Sequence, residues 1–144
     1  MRLLKRFLRD IGSKYKPVDV VNINNKRFSS TLDTPIDIPE LVYTGTYLGQ
    51  NKQRFEPSSI LLQMLSDEPS THKVYVDRDT AWLFVVGKDI FDENIVDRTA
   101  GVRLGGYCLV MFGEECIGYG RYETSRDLRV VKNLYDVGDF LRRE

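Results

Sequence analysis

The stretch Tyr107-Cys-Leu-Val-Met-Phe112, followed by Gly113-Glu-Glu115 and Cys116-Ile-Gly-Tyr-Gly-Arg121, predicts a β-hairpin. Both arms are rich in apolar, aromatic and β-branched residues, which favour strands, and a short glycine-containing turn separates them. Shorter strand-like runs lie on either side, at Lys73–Val76 and at residues 129–131. About five short strands in some seventy residues, linked by glycine turns, are typical of a small closed β-barrel.

The two cysteines are predicted to stay reduced. A turn at 113–115 sets Phe112 opposite Cys116 and places Cys108 near Gly120. The sulfur atoms are then separated by about four residues of strand at about 3.3 Å each, which is too far for a disulfide. Both cysteines are therefore expected to pack as structural thiols.

The segment before the hairpin, from Asp79 to Gly87, fits either a strand or a short helix. Its aromatic and β-branched content favours a strand, whereas Asp79 as an N-cap and Gly87 as a C′ residue favour a helix. Composition alone does not choose between them. In a helix, Trp82 would lie on the apolar face and is expected in the core.

The first 71 residues predict a mixture of helices and strands. Apolar residues at helical spacing predict an amphipathic helix over residues 1–11, ending at Gly12. Three strand-like runs follow, at 18–23, 27–32 and 41–48, and a second helix is predicted over 57–65. The polar stretch 67–71, which contains Pro69, is the predicted domain boundary.

The N-terminal helix has a basic face opposite its apolar stripe, made of Arg2, Lys5, Arg6 and Arg9. Such a helix can lie on a membrane surface, but a stripe this narrow more often docks on a domain. Docking is the favoured interpretation, and it leaves the basic face free for an anionic partner.

Composition narrows the class of protein. The chain has 144 residues, with 21 Lys and Arg against 21 Asp and Glu, so the formal net charge is zero. No run approaches eighteen apolar residues, so a transmembrane helix is not expected. Basic residues interrupt the N-terminus every few positions, which is unlike a secretory signal. A cytoplasmic protein is expected.

Few residues offer catalytic chemistry. One histidine, His72, and two cysteines are fewer than the four ligands typical of structural zinc. The N-terminal half has no phosphate-binding loop and no nucleophile elbow. The pairs Asp77/Asp79 and Asp92/Glu93 could bind a divalent ion but are more simply caps and turn residues. No catalytic residue, metal or cofactor is predicted, and the protein is not expected to be an enzyme.

The C-terminal half resembles a PUA domain, the small RNA-binding barrel named after pseudouridine synthases and archaeosine transglycosylases. The segments that carry the resemblance are Lys73–Val76, Gly87-Lys-Asp-Ile-Phe91, Gly105-Gly-Tyr-Cys-Leu-Val-Met-Phe112 and Glu114-Glu-Cys-Ile-Gly-Tyr-Gly-Arg121. In that family a short helix precedes the segment that begins at Gly87. The resemblance therefore favours a helix over residues 79–86.

A narrower resemblance spans residues 40–144. Four parts of this region are similar to the "Nip-seven" ribosome-biogenesis proteins. They are Leu41-Val-Tyr-Thr-Gly-Thr-Tyr-Leu-Gly49, the block 52–65, the PUA segments and the ending from Tyr135 to Glu144. The resemblance implies an α+β protein with an N-terminal α/β (pre-PUA) domain over 1–71 and a small PUA β-barrel over 72–144. Because the chain is short before residue 40, an archaeal-type relative is expected.

The resemblance also indicates where RNA would bind. In PUA domains the strand that corresponds to Gly118–Arg121 borders the RNA face, and the segment that follows Gly87 approaches the RNA. In this chain Asp89 adds a negative charge to that segment, which would repel phosphate. Tyr119 could stack on a base or fill the core. The predicted RNA-binding residues are Arg121, Arg126, Arg129, Lys132, Lys88, Tyr119, Arg142 and Arg143.

The favoured function is a non-catalytic RNA-binding factor in large ribosomal subunit biogenesis and pre-rRNA processing. Its partner would be RNA, as pre-rRNA, and the resemblance adds ribosome-assembly proteins or the exosome. An RNA-modifying or RNA-processing enzyme and a protein-only adaptor remain the alternatives.

Overall fold

The computed structural model describes residues 2–16, 20–23, 26–29 and 46–138. Its helices are α1 (Arg2–Asp10), α2 (Ser59–Ser66) and α3 (Arg78–Val85), with a 3-10 turn at Asp92–Asn94. The strands of the first half are β1 (Val20–Ile23), β2 (Lys26–Ser29), β3 (Thr46–Asn51) and β4 (Phe55–Pro57). Those of the second half are β5 (Lys73–Val76), β6 (Ile90–Phe91), β7 (Ile95–Arg98), β8 (Tyr107–Phe112), β9 (Glu115–Ser125) and β10 (Leu128–Asp136).

The described strands form two sheets, so the predicted α+β class is confirmed. The first sheet has the order β1-β2-β3-β4 and the second has the order β6-β10-β9-β8-β5-β7. Within the second sheet β5 and β8 run parallel, and the other neighbours are antiparallel. Its edge strands β6 and β7 are joined by the single 3-10 turn, so the sheet curls upon itself. No ladder joins β6 to β7 in the described residues, and the expected closed barrel is a curled half-barrel.

The predicted hairpin is present, with one difference in register. Its turn is two residues long, so Glu115 faces Phe112 and Cys116 faces Met111. A bulge beside Val110 then shifts the ladder by one residue, and Cys108 pairs with Gly120 as the sequence predicts. Both cysteines are buried and free.

The β8–β9 pair is buried on both faces, because successive side chains of a strand point to opposite sides. Its inner face lies in the half-barrel with α3. This inner core contains Val74, Val76, Ala81, Phe84, Ile90, Cys108, Val110, Ile117, Tyr122 and Val131. Its outer face packs against the first half of the chain. This outer core contains Leu4, Phe7, Leu8, Ile11, Leu48, Phe55, Leu61, Leu62, Leu65, Leu109, Met111, Cys116 and Tyr119.

Helix α1 docks on this outer face, as the sequence predicts. The ring of Phe7 lies 5.6 Å from that of Phe55 on β4 and 5.4 Å, edge to face, from that of Tyr119 on β9. Aromatic pairs at these separations are favourable beyond the area that they bury. Among the described helices, none is long and apolar enough to cross a membrane.

The polar stretch before β5 is a packed joint between the two halves. The His72 amide donates to the Ile11 carbonyl at 3.0 Å, and Lys73 Nζ donates to the Glu68 carbonyl at 2.5 Å. The His72 ring lies against Gly12 and Gly101, where an added Cβ would come within 2.8 Å of ring atoms. The two halves therefore share a core and a hydrogen-bonded joint.

Helix α3 confirms the helix interpretation but corrects two details. Its N-cap is Asp77, whose carboxylate accepts from the Thr80 amide at 2.9 Å, and not Asp79. The prediction that Trp82 is a core residue is wrong, because its side chain is 68% exposed. Ala81 and Phe84 fill the inner core, and a helix turns about 100° per residue. Trp82 consequently points away from the sheet.

Replacing Phe7 by Ala should lower the free energy of unfolding by about 3–5 kcal/mol, the usual cost of removing a buried phenylalanine side chain. Urea denaturation measures the change. Lys5→Ala, on the exposed face of the same helix, is the control and should cost less than about 0.5 kcal/mol. If both variants unfold like the wild type, α1 is not part of the outer core.

Candidate nucleic-acid interface

Two of the predicted cations lie side by side on the outer face of the curled sheet. Arg121 on β9 is paired with Lys132 on β10, and its other neighbour in register is Tyr107 on β8. Residues paired directly across a sheet project to the same side, so the three side chains form a row. Arg121 and Lys132 are exposed and Tyr107 is half-buried.

The other two cations of the predicted cluster lie elsewhere. Arg129 is three residues from Lys132 on the same strand, so its side chain leaves the opposite face. Arg126 occupies the turn between β9 and β10, where it and Asp127 have φ values of 50° and 66°. The structure therefore does not bring Arg126 and Arg129 together with Arg121 and Lys132.

Lys88 lies at the edge of the same sheet. The Asn133 amide donates to Asp89 Oδ1 at 2.8 Å, and Asn133 Nδ2 donates to the Lys88 carbonyl at 3.3 Å. These bonds hold the loop against β10 next to Lys132, and they leave the Lys88 side chain exposed. Arg142 and Arg143 are outside the described residues.

Tyr119 is a core residue and its ring is not available for stacking on a base. Its side chain is only 2% exposed and packs against Phe7. Burial raises the pKa of its hydroxyl to about 12. Of the two interpretations that the sequence left open, the structure supports the core position.

Sequence reasoning missed a cleft at the junction of the two halves. Its volume is about 150 Å³, and it lies between α1, the β3–β4 turn and the β8–β9 pair. Its lining residues are Leu3, Arg6, Phe7, Asp10, Gln53, Arg54, Phe55, Tyr107 and Tyr119. The hairpin register would have placed Tyr107 beside Arg121, but no sequence signal brings Arg6 and Arg54 to the same point.

The cleft connects the cations of the sheet to those of α1. Arg6 lines the cleft and also belongs to the exposed basic face of the helix. We use the name basic stripe for the surface that carries these cations, namely Arg2, Lys5, Arg6, Arg9, Arg54, Arg121, Lys132 and Lys88. Carboxylates also lie along it, among them Asp10, Glu123 and Asp89.

Asp10 and Glu123 make long, partly exposed ion pairs. Asp10 lies 3.9 Å from Arg6 and 3.6 Å from Arg9, and Glu123 lies 4.0 Å from Arg121. Exposed pairs of this kind contribute about 0–1 kcal/mol. An anionic ligand can therefore displace them at low cost, and the stripe keeps a positive excess.

A network of polar side chains lies on the inner side of the curled sheet, opposite the basic stripe. Asp92 Oδ1 accepts from the Tyr122 hydroxyl at 2.5 Å and from Arg98 Nη2 at 2.8 Å. The Arg98 guanidinium also lies 5.4 Å from the centre of the Tyr122 ring. The Tyr122 hydrogen bond, followed by that of Arg98, lowers the pKa of Asp92. Asp92 is thus a structural carboxylate, and the described residues contain no group of three or more potential metal ligands.

A curled sheet of six strands, a short helix leading to a glycine loop, and a basic outer face define a PUA-type protein. Comparison with known families agrees. The UPF0113 PUA domain model matches residues 72–144, and the chain belongs to this family. Membership of a PUA family suggests RNA binding.

Two solved structures of archaeal proteins are similar to this chain. A conserved PUA domain protein from Thermoplasma acidophilum is 17% identical, with a TM-score of 0.58 over 99% of this chain and 91% of that one. A hypothetical protein from Pyrococcus horikoshii OT3 is 19% identical, with a TM-score of 0.47 over 84% of this chain and 77% of that one. The first similarity supports the fold. A comparison with curated proteins finds no match.

The Asp92 network predicts a pH dependence of stability. A lowered pKa means that the carboxylate stabilises the fold above the ordinary aspartate pKa of about 3.9. This stabilisation is lost as the pH falls through the lowered value. The free energy of unfolding should therefore fall less steeply below about pH 4 in Asp92→Asn than in the wild type. Urea titrations at a series of pH values measure this, and Glu93→Gln, outside the network, should keep the wild-type slope.

Proposed function

We propose that this protein is a non-catalytic RNA-binding factor of large ribosomal subunit biogenesis, acting on pre-rRNA in the cytoplasm. The observation that carries the proposal is the basic stripe, which runs from the PUA sheet across the junction to α1. A chain of zero net charge that places eight of its 21 Lys and Arg residues on one surface is suited to a polyanion.

The form of the stripe favours single-stranded or irregular RNA. Phosphate contacts from Arg and Lys supply most affinity for nucleic acids, and unstacked bases pack on aromatic rings or guanidinium groups. The stripe has both kinds of group, since the half-buried Tyr107 lies between Arg121 and the cleft. A regular duplex would offer Tyr107 no free base.

The biogenesis role rests on the resemblance of residues 40–144 to the Nip-seven proteins. That resemblance also supplies the proposed partners, which are ribosome-assembly proteins or the exosome. The absence of a catalytic role is supported by the sequence, which has no cofactor motif. It is also supported by His72, whose ring is packed against Gly12 and Gly101 at the joint.

Replacing Arg121 and Lys132 together by Gln should weaken the binding of single-stranded RNA and reduce its salt dependence. Each lost phosphate contact lowers the slope of log affinity against log salt by about 0.7 for a single strand. The double variant should therefore lose about 1.4 from the slope measured by fluorescence anisotropy. Folding should be preserved, because both side chains are exposed.

The matched control removes the same charge from the same hairpin. The control variant combines Arg126→Gln, in the turn, with Arg129→Gln, on the opposite face of the sheet. It should change the slope of log affinity against log salt less than the Arg121/Lys132 variant does. If the control pair reduces the slope and the Arg121/Lys132 pair does not, the basic stripe is not the RNA-binding face.

Purified protein incubated with RNA should give no cleavage or modification products, with or without divalent ions. Gel analysis and mass spectrometry of the recovered RNA test this. Metal-dependent cleavage that survives further purification and is lost in Asp77→Asn or Asp92→Asn would instead establish the enzyme alternative.

One observation favours the second candidate function, a protein-binding adaptor. The face of α3 and the adjoining strands expose apolar side chains, namely Trp82, Leu83, Val86, Phe112 and Val137. Contiguous exposed apolar surface often marks a protein interface. An adaptor predicts that Trp82→Ser keeps wild-type RNA affinity but no longer co-sediments with pre-ribosomal particles.

A further inference from the structure

A groove beside helix α3 exposes apolar side chains that the inner core leaves uncovered. From Trp82 to Val86, every exposed residue of α3 and its C-cap is apolar. Trp82 is 68% exposed, because Ala81 and Phe84 take the positions that face the inner core. The groove has a volume of about 740 Å³. Its other wall, on the side of the strands, includes Phe112, Ile117 and Val137.

This surface has both a projection and a recess. The ring of Trp82 projects from the α3 wall, and the groove that it lines lies directly beside it. When one patch carries both shapes, two copies of a chain can fit each other about a two-fold axis, because the same patch then serves each copy. Tryptophan rings buried at the centre of an interface supply a large share of its binding energy.

The charges that line the groove are of both signs. Arg78 and Asp79 lie on the α3 wall, and Glu115, at the start of β9, lies on the strand wall. In the part of the chain that the structure describes, none of the three forms an ion pair. A two-fold axis that brings the α3 wall of one copy onto the strand wall of the other places Arg78 opposite Glu115 in two equivalent positions.

The same charges argue against the other ligands of an apolar face. Helices that bind membrane surfaces carry many Lys and Arg residues beside their apolar side chains, whereas this groove is lined by one cation and two carboxylates. RNA binding needs an excess of cations, and no residue of the basic stripe lines the groove. A patch that carries both signs is complementary to a copy of itself.

We propose that the groove beside α3 is the interface of a two-fold symmetric dimer of this chain, in which Trp82 of each copy enters the groove of the other and Arg78 pairs with Glu115. The inference is independent of RNA binding, and it names a second copy where the adaptor alternative needs a different protein. Ten residues line the groove, against about 20–30 on each side of a standard interface. The dimer should therefore be weak, with a dissociation constant in the micromolar range.

Sedimentation equilibrium of the purified chain at about 1–300 μM covers this range of affinity. The wild type should change from monomer to dimer as its concentration rises. Trp82→Ser should remain monomeric, because losing a central tryptophan weakens an interface by about thirtyfold or more, and the symmetry applies the loss twice. Val96→Ser is the matched control and should dimerise like the wild type, since Val96 is also 68% exposed but lies on β7, outside the groove. Thermal melts show whether each variant is folded.

A second measurement exchanges the charges without removing apolar surface. Arg78→Glu should weaken the dimer about tenfold, because it replaces two attractive pairs by two repulsive ones. Arg78→Glu combined with Glu115→Arg should restore the wild-type association, since each copy then offers the same pair in reverse.

The outcomes decide between the second copy and other occupants. A wild type that stays monomeric at every concentration overturns the proposal and leaves the groove to a different protein. A dimer that persists in folded Trp82→Ser also overturns it, because the contact then lies elsewhere. If the charge exchange does not restore association, the two-fold arrangement is wrong. None of these variants changes the basic stripe, so a failure of the wild type to bind RNA would bear only on the proposed function.

Discussion

The packing of the β8–β9 pair between two cores is the interaction on which the rest of the structure depends. Leu109 and Tyr119 face the first half of the chain, whereas Val110 and Ile117 face the half-barrel. Removing a buried Leu or Ile side chain from such a core typically costs about 2–5 kcal/mol. Loss of this ladder would therefore expose both cores at once.

The same packing positions the candidate interface. The contact between Phe7 and Tyr119 holds α1 on the outer face of the sheet, and this places Arg6 at the same cleft as Tyr107. Cations from distant parts of the sequence thereby join one surface with a fixed geometry. A linker between independent domains would leave the two basic regions free to move apart, and the cleft between them would not exist.

Local patterns predicted much of the fold. The helical spacing before Gly12 predicted α1, because such a signal acts within one or two turns of chain. For α3 the local signals left helix and strand open, the resemblance to PUA domains favoured the helix, and the N-cap is Asp77 instead of the predicted Asp79. The hairpin was also predicted, but its register near the turn was not. Met111 pairs with Cys116 because the turn has two residues, and a bulge at Val110 restores the expected pairing of Cys108.

By itself, the sequence determined the class of fold, the PUA-type half, the reduced cysteines and the abundance of cations near β9 and β10. The tertiary structure decided which side chains are exposed together. In the folded chain Tyr119 lies in the core and Trp82 lies on the surface. Arg129 and Lys132 lie on opposite faces of the sheet. The physical reason is that propensity and periodicity are local. The face of a strand or helix that is buried depends on which distant segment packs against it, and here that segment is α1 with the β3–β4 turn.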